Sequence, residues 1–381
     1  MPLTWSNVLA WRVHQHHLDE LQPADKILEV TERLCGLHAQ VLSSSELTLW
    51  ARVDNLPRRA VQEALWQSRD LVKVWAMRGT LHLFASRDYP MWQAALSQLR
   101  REVTPAWLKW YDITQAELDL LMRTMGEVLD GQLLTRTELA DQVAKRTGSP
   151  ALGEKISRSS WGSMLKPPTR LGYLCFAPSV GQNVRFTRPS SWLNGWHPQD
   201  PAAATLEVGR RFLHAYGPAT AIEFGRWWGG ASVPFAKRVI NQLGDEVTTV
   251  ELSGQQMWLL AKDLKGMRAA EPRRSVRLLP AFDQYVVGAP RDGDAVLSPE
   301  LKSRVYRNQG WFTPVLLVDG RLVGAWRHVR SGSRLNVDIE PFEELPTWVR
   351  RGAEHEAERL AEFLGGKLEL TFGVIPSLRG I

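Results

Sequence analysis

The feature that most constrains the fold of this chain is a change of hydrophobic period that repeats along it. Apolar residues first recur at helical spacing, and then at every second position, as on one face of a strand. Residues 24–35, 44–53 and 57–67 have the helical pattern, and two strand-like runs follow on either side of Arg78 and Gly79. The first part of the chain therefore predicts three helices and then a β-hairpin.

This order recurs twice more, without visible sequence identity between the copies. The helices of the second copy are predicted at residues 114–129, 135–146 and 154–165, with strands near 173–177 and 184–187. The helices of the third copy are predicted at residues 201–216, 218–228 and 233–243, with strands at 247–252 and 256–261. Three helices followed by a hairpin outline a winged helix, a relative of the helix-turn-helix in which the hairpin forms the wing. We therefore expect three tandem winged-helix modules.

The last third of the sequence has a different pattern. Strands are predicted at residues 276–287, 315–318, 322–330 and 333–339, and a helix at 347–364 precedes a final strand at 368–372. This pattern predicts a small antiparallel sheet or barrel, so the fold class is α+β. The expected domains are a first module with an N-terminal helix (1–110), a second module (111–195), a third module (196–265) and a β-rich C-terminal domain (266–381).

Composition restricts the class of protein. The 381 residues, of which 44% are hydrophobic and 23% charged, predict two or three packed units rather than a disordered chain. No apolar run approaches the roughly 18 to 20 residues that span a bilayer. Residues 1–5 do not resemble a signal peptide, so we expect a cytoplasmic protein without a membrane partner. Cys35 and Cys175 are too few for a disulfide framework and form no CxxC pair. No metal site or cofactor is predicted.

The charge of the chain favours a polyanionic partner. The 47 basic residues exceed the 41 acidic residues by six, and 36 of the 47 are Arg, whose planar cation suits phosphate. A bias of composition toward Arg explains the excess equally well. The positions of the basic residues are therefore more informative than their number.

Basic residues are concentrated where hairpins and third helices are predicted. The segment from Gly320 to Asn336 has no acid and has a Ser-Gly turn at its centre, and its basic residues are Arg321, Arg327, His328, Arg330 and Arg334. Such a hairpin fits a DNA groove, although exposed hairpins also have Arg for solubility alone. Further DNA-binding candidates lie on the third helix of the second module and at the first hairpin turn: Lys155, Arg158, Lys166, Arg170 and Arg78. These clusters favour duplex DNA as the partner of either an enzyme or a regulator.

The most specific candidate for chemistry follows the first predicted helix. Gly36 stops this helix, and His38 and Gln40 lie in the connection that comes next. In an extended backbone, residues two apart project the same way, so an imidazole and a carboxamide would together hold one water molecule. His accepts a proton near neutral pH, and Gln orients water without a charge. The alternative is that both side chains cap neighbouring backbone groups.

Two other candidates carry weaker signals. Cys35 lies three residues before His38, as in a nucleophile and base pair of a thiol hydrolase, but a small thiol at the end of an amphipathic helix is ordinarily buried and inert. His14, His16 and His17 have no further ligand at a recognised metal spacing, so we interpret them as a solvated helix face. Adjacent acids along the chain point to different faces, and no paired-carboxylate site is evident.

Five segments of the sequence occur together, in this order, in a known family. They are Gly36-Leu37-His38-Ala39-Gln40; Trp75-Ala76-Met77-Arg78-Gly79-Thr80-Leu81-His82-Leu83; Arg211-Phe212-Leu213 with Tyr216-Gly217-Pro218-Ala219-Thr220; Phe282-Asp283-Gln284-Tyr285-Val286-Val287-Gly288; and Val318-Asp319-Gly320 with Gly324 and Trp326. Over residues 18–365 the chain resembles the AlkZ and YcaQ group of winged-helix DNA glycosylases.

The resemblance implies tandem winged helices in a C-shape around a basic channel for duplex DNA, with the hairpin of the β-rich element at the minor groove. The family's catalytic motif is Gln, an apolar residue, then Gln. Gln40 matches this motif, and His38 departs from it, as in the AlkZ-like branch.

The implied reaction is hydrolysis of the N-glycosidic bond of N7- or N3-alkylated purines, with the water held by His38 and Gln40. Bulky adducts and interstrand crosslinks are further candidate substrates. No Lys is placed to form a Schiff base, so a monofunctional glycosylase without AP lyase activity is expected, as a monomer near the nucleoid. The alternative is a winged-helix DNA-binding regulator without chemistry.

Overall fold

Helix caps and hydrophobic period place most elements where the sequence predicts them. The computed structural model describes residues 2–99, 103–229 and 232–376. Its α-helices are α1 (Trp5–Gln15), α2 (Ile27–Arg33), α3 (Leu42–Trp50), α4 (Ala60–Trp66), α5 (Tyr89–Leu96), α6 (Pro105–Trp110), α7 (Gln115–Val128), α8 (Arg136–Thr147), α9 (Pro150–Ser157), α10 (Lys166–Arg170), α11 (Pro189–Trp192), α12 (Pro201–Tyr216), α13 (Ala221–Trp228), α14 (Val233–Gln242), α15 (Leu264–Ala269), α16 (Gln284–Gly288), α17 (Lys302–Val305) and α18 (Thr347–Leu364).

The β-strands form hairpins and one larger sheet. They are β1 (Leu37–His38), β2 (Leu71–Trp75), β3 (Leu81–Ala85), β4 (Leu134–Thr135), β5 (Cys175–Val180), β6 (Asn183–Thr187), β7 (Val247–Leu252), β8 (Gln255–Leu260), β9 (Val276–Leu279), β10 (Val315–Val318), β11 (Arg321–Ser331), β12 (Arg334–Pro341) and β13 (Lys367–Phe372). The α+β class is confirmed. Helices followed by a hairpin recur in the predicted order, and the tandem winged-helix interpretation with its four expected domains stays a prediction.

The chain divides into two compact units. The first unit comprises Met1–Ala60, Arg210–Trp227 and Ala236–Ile381, and the second comprises Val61–Gly209 and Trp228–Phe235. His38 and the β9–β13 sheet belong to the first unit. Arg78 and the basic residues of α9 and α10 belong to the second. No helix among the described residues is both long and apolar enough to cross a membrane.

In the second unit, α7, α8, α9 and the β5–β6 hairpin surround a common core. Thr114 with Glu117 and Thr135 with Glu138 form capping boxes at the starts of α7 and α8. Gly148 ends α8 at φ +67°, a left-handed conformation that suits glycine. The helices bury their apolar faces against the hairpin, with Leu121, Leu139, Val143, Ile156 and Phe176 in the core.

In the first unit, an open five-stranded sheet has the order β13-β12-β11-β10-β9. The β11–β12 pair is long and closes at Ser331 and Arg334 around a glycine turn. β13 runs parallel to β12, and α18, which follows β12, buries Val349, Ala353 and Leu360. The prediction of a purely antiparallel sheet or barrel is therefore wrong at the last strand, because a helical crossover returns the chain to the same end of the sheet.

Two predicted elements are interrupted in the structure. The strand predicted at residues 276–287 ends at Leu279, and Asp283 caps a short helix, α16, by accepting a hydrogen bond from the Tyr285 N–H (2.9 Å). The helix predicted at residues 154–165 ends at Ser157, because the Ser159 hydroxyl accepts from the Met164 N–H (2.9 Å) and the chain turns before α10. In both segments a polar side chain sets the break, which the hydrophobic pattern alone does not locate.

Candidate active site

His38 lies at the end of a two-residue strand that follows a sharp helix stop. After α2, Cys35 and Gly36 have φ of +60° and +89°, so the chain leaves the helix through two left-handed residues. β1 then holds His38 in extended backbone, where it is 5% exposed. Gln40 is exposed in the bend before α3. The extended stretch thus ends before Gln40, and the two side chains differ in exposure.

A phenylalanine far along the chain fixes the plane of the His38 ring. The centroids of the His38 and Phe282 rings are 4.4 Å apart, and their planes differ by 6°. Phe282 is buried and has φ +62°, a left-handed conformation that is unusual for a bulky residue. Face-to-face packing restricts rotation of the imidazole, so its nitrogen atoms keep defined directions.

A buried ion pair holds the turn that presents Phe282. The Arg52 guanidinium donates to both carboxylate oxygens of Asp283, at 2.7 and 2.8 Å, and neither side chain is exposed. Arg52 also donates to the Thr48 carbonyl (2.8 Å) at the end of α3. The pair therefore connects the helix that follows Gln40 to the residue after Phe282. Bidentate geometry of this kind gives directional as well as electrostatic restraint.

The histidines near the start of the chain do not form one solvated face. His14 has an exposed side chain, but His16 is 1% exposed and donates from Nε2 to the Ala215 carbonyl (3.1 Å). The His16 ring packs edge-on against Tyr216 and Tyr285. The prediction is therefore wrong for His16. Burial, with the nearby charge of Arg52, holds the pKa of His16 well below its usual value, so this histidine is neutral.

Tyr216 anchors the helix stop that precedes His38. Its hydroxyl donates to the Leu34 carbonyl (2.7 Å), one residue before Cys35. The Tyr216 carbonyl in turn accepts from the buried Arg12 guanidinium (2.6 Å). Cys35 is 1% exposed, as expected for a packed thiol. These contacts lie in the same unit as His38 and restrain the chain on the side of His38 that precedes β1.

Most basic candidates of the β11–β12 hairpin have partners in the free protein. Arg327 pairs with Asp338 (2.8 Å), and Arg334 pairs with Glu369 (3.1 Å). Arg330 donates to the Leu364 carbonyl at the end of α18 (3.0 Å). The segment 320–336 has no acid, and the acidic partners lie just beyond it, with Asp338 opposite Arg327 on β12 and Glu369 on β13. Arg321 donates to the Ala295 carbonyl (3.0 Å). Burial lowers the pKa of the remaining candidate, His328, whose ring stacks on Trp326.

The basic candidates of the second unit differ in exposure. Arg158 is highly exposed and pairs with Glu154 (2.6 Å), and Lys155 donates to the Tyr111 carbonyl (2.9 Å). Lys166 is partly exposed at the start of α10. Arg170 is 9% exposed and donates to the Leu99 carbonyl (2.9 Å), so its guanidinium makes a buried hydrogen bond that stabilises the fold. Its role at DNA stays a prediction.

Arg78 lies at the first hairpin turn, as predicted. It has φ +59°, and its guanidinium contacts the Nε2 atom of His82 at 3.1 Å. Its backbone packs so closely on Gly229 that a Cβ at the glycine would lie 2.3 Å from the Arg78 nitrogen. Among the residues that the structure describes, no group of three His, Cys, Asp or Glu side chains is placed to hold a metal ion.

Comparison with known proteins identifies the family. Residues 31–363 match the model of the AlkZ-like DNA glycosylase family. The chain belongs to this family. It is 33% identical over 370 residues to the interstrand DNA cross-link repair glycosylase of Streptomyces sahachiroi. The matched region covers 96% of this chain and 98% of that protein. The structure of the DNA glycosylase AlkZ from the same organism superposes with a TM-score of 0.88, covering 98% of this chain and 100% of that one.

Family membership supports a DNA glycosylase rather than a regulator without chemistry. The sequence pattern alone does not assign a role to three residues around His38, namely Phe282, Asp283 and Arg52. Phe282 and Asp283 stand in one of the five family-like segments, but that segment was predicted as strand. An Asp directly before a short apolar run is also typical of a helix N-cap, and this signal would have placed the turn correctly.

Proposed function

We propose that this glycosylase hydrolyses the N-glycosidic bond of N7- or N3-alkylated purines in duplex DNA and leaves an abasic site. The observation that carries the proposal is the His38 imidazole, held flat against Phe282 at the end of β1, with the exposed Gln40 two residues later. A fixed acceptor two residues before an exposed carboxamide suits a single bound water molecule.

The reaction needs little acid catalysis from the protein. A purine alkylated at N7 or N3 is cationic, so the bond from C1′ to the base breaks with its electron pair going to the purine, which leaves neutral. Water then adds to C1′ of the oxocarbenium-like sugar. Gln40 orients this water. His38 helps to position the water and accepts the proton that the water loses. Correct placement of the water supplies much of the acceleration.

The basic residues are proposed to bind the duplex backbone. Arg327 and Arg334 have acidic partners at the surface, and exposed ion pairs of this kind are weak, so phosphate can replace the carboxylates at little cost. Val329 is 49% exposed on the same hairpin, which supports insertion of the hairpin into a groove. The C-shaped array of three winged helices is part of the same proposal.

Substitution of the two candidate catalytic residues tests the proposal. Wild type should release N7-methylguanine from a methylated duplex, and His38→Ala and Gln40→Ala should each lose about 100-fold or more in the single-turnover rate, with duplex affinity retained. His355→Ala, at an exposed site on α18, is the matched control and should keep full activity. Equal rates for all four proteins would contradict the assigned roles.

The nature of the product tests the absence of lyase chemistry. Because no amine is proposed to attack C1′, the strand should remain intact after base release, and borohydride should trap no covalent complex. A trapped complex would require a Schiff base and would replace this mechanism. The same assay with a bulky adduct and with a crosslinked duplex defines the substrate range, since the named activity of the Streptomyces relative concerns crosslinks.

A further inference from the structure

An exposed tryptophan lies beside the candidate active site. Trp311 is 52% exposed, and its ring centroid is 5.1 Å from that of Phe282. Phe282 in turn stacks on His38. One buried aromatic ring therefore separates an exposed indole from the imidazole that we propose to act on water. Single exposed hydrophobic residues are common in proteins, but this one borders the reacting groups.

Backbone hydrogen bonds hold Trp311 in a tight turn. The Arg307 N–H donates to the Trp311 carbonyl (2.9 Å), and the Trp311 N–H donates to the Asn308 carbonyl (3.3 Å). Gln309 and Gly310, between them, have φ of +56° and +77°. An aromatic ring on a closed turn loses little conformational freedom when a ligand stacks on it, so the turn is suited to binding.

Arg291 beside this turn, and Arg226 near Arg291, have no acidic partner among the residues that the structure describes. The Arg291 guanidinium lies 4.5 Å from the ring centroid of Tyr306 and 5.6 Å from that of Phe312. The Arg226 guanidinium donates to the Ala289 carbonyl (3.0 Å), two residues before Arg291. Burial lowers the pKa of Arg291, and the charge of Arg226 lowers it further, so the two cations repel each other. In the parts of the chain that the structure describes, neither guanidinium has a carboxylate within 4.0 Å. A phosphate would neutralise such a pair.

We propose that Trp311 stacks on the alkylated purine at the active site and that Arg291 and Arg226 bind the backbone phosphate beside it. This assignment rests on the proposed function. An aromatic platform next to a cationic groove is how proteins hold unpaired nucleotides. Because a purine alkylated at N7 or N3 is a cation, the electron-rich indole face attracts it more strongly than it attracts a neutral base. Trp311 thereby selects the lesion, whereas the arginines bind any duplex.

Two measurements separate these roles. The first is single-turnover excision of N7-methylguanine from a duplex, and the second is the affinity for the same duplex without the lesion. Trp311→Ala should lose about 5- to 150-fold in excision efficiency, the range expected for one base stack, with unchanged affinity for undamaged DNA. Trp311→Phe keeps a weaker aromatic face and should fall between. Trp110→Ala, at a site 80% exposed in the other unit, is the matched control and should behave as wild type.

The arginines are tested through salt dependence. Arg291→Gln should weaken binding of damaged and undamaged duplex alike and reduce the slope of log affinity against log salt by about 0.9, the value for one lost phosphate contact. Arg226→Gln should act in the same direction. An unchanged slope in both variants would overturn the phosphate assignment.

Failure of this inference is distinct from failure of the proposed function. If wild type and Trp110→Ala excise the lesion and Trp311→Ala does so equally well, Trp311 does not stack on the purine, and the glycosylase mechanism stands. If Trp311→Ala weakens undamaged duplex as much as it slows excision, the indole contacts an ordinary base, and the assignment is wrong. If wild type excises no alkylated purine, the proposed function itself fails.

Discussion

Replacing Asp283 with Asn should destabilise the protein severely, because it removes one charge from an ion pair that is fully buried. Arg52 and Asp283 have no exposed side-chain surface and make two hydrogen bonds of 2.7 and 2.8 Å. Arginine does not lose its proton in a folded protein, so the variant leaves an uncompensated guanidinium in the core. Breaking such a pair costs about 3 to 5 kcal/mol, a large part of the roughly 5 to 15 kcal/mol that stabilises a typical protein.

A urea titration followed by tryptophan fluorescence measures this cost. We expect Asp283→Asn to lower the unfolding midpoint without changing the slope much. The matched control is Asp338→Asn, which breaks the partly exposed pair with Arg327 and should cost less than about 1 kcal/mol. The double variant Arg52→Met with Asp283→Leu removes both charges and should recover much of the lost stability, because no buried charge remains unpaired.

The same substitution should also lower catalysis under conditions where the variant is folded. Asp283 directly follows Phe282, whose ring stacks on His38. A shifted Phe282 would free the imidazole to rotate, so excision should slow while affinity for undamaged duplex persists. The reasoning is refuted if Asp283→Asn matches Asp338→Asn in stability and wild type in excision rate, since the pair would then neither stabilise the fold nor position the site.

Three further predictions concern other parts of the chain. Burial holds the pKa of His16 well below its usual value and lowers that of His17 to about 4, so the unfolded chain binds more protons below pH ~6.5. Stability should therefore fall by about 1.4 kcal/mol per pH unit through the buried His16 as the pH drops toward 4, and by less through the partly exposed His17. Urea titrations of His16→Gln across this range should give a shallower dependence than wild type. Thr135→Ala removes the capping hydroxyl of α8 and should cost about 1 kcal/mol without affecting excision, whereas an unchanged midpoint would mean that the cap is dispensable. Cys35→Ser should retain base excision, because the thiol is buried and is assigned no role in the reaction. A folded but inactive variant would instead indicate that the thiol takes part in catalysis.

Much of the fold could be predicted because local signals determine it. The bounds of α12 and α18 match the predicted residues 201–216 and 347–364, where a helical period coincides with a proline at the first or preceding position or a glycine after the end. The three hairpins that follow helices were also placed within a few residues. In these segments the hydrophobic period and the turn residues favour the same secondary structure, so tertiary contacts do not change it.

The errors arise where distant residues decide. Nothing near the hairpin indicates that Glu369 of β13 would pair with Arg334, because their proximity depends on the parallel return of the chain after α18. The burial of His16 likewise depends on Tyr216 and Tyr285, which come much later in the sequence. Charge and amphipathic pattern describe which residues prefer water, but only the packed chain determines which ones reach it.

The candidate site combines both kinds of information. His38 and Gln40 can be located from their spacing after a helix stop. The geometry of His38, however, depends on two residues with strained backbone, one shortly before it in the sequence and one that stacks on its ring. Cys35 and Phe282 are non-glycine residues with φ of +60° and +62°, and each such residue costs of order 1 to 3 kcal/mol unless its surroundings enforce it.

Long-range contacts adjacent to each strained residue provide that enforcement. The Tyr216 hydroxyl holds the carbonyl of Leu34 next to Cys35, and the Arg52 guanidinium holds the carboxylate of Asp283 next to Phe282. If either contact were lost, the neighbouring residue would relax toward ordinary backbone, and the imidazole would lose one of its two restraints. A short motif such as His-x-Gln is therefore insufficient by itself to form this site, because the orientation of the histidine comes from residues more than a hundred positions away.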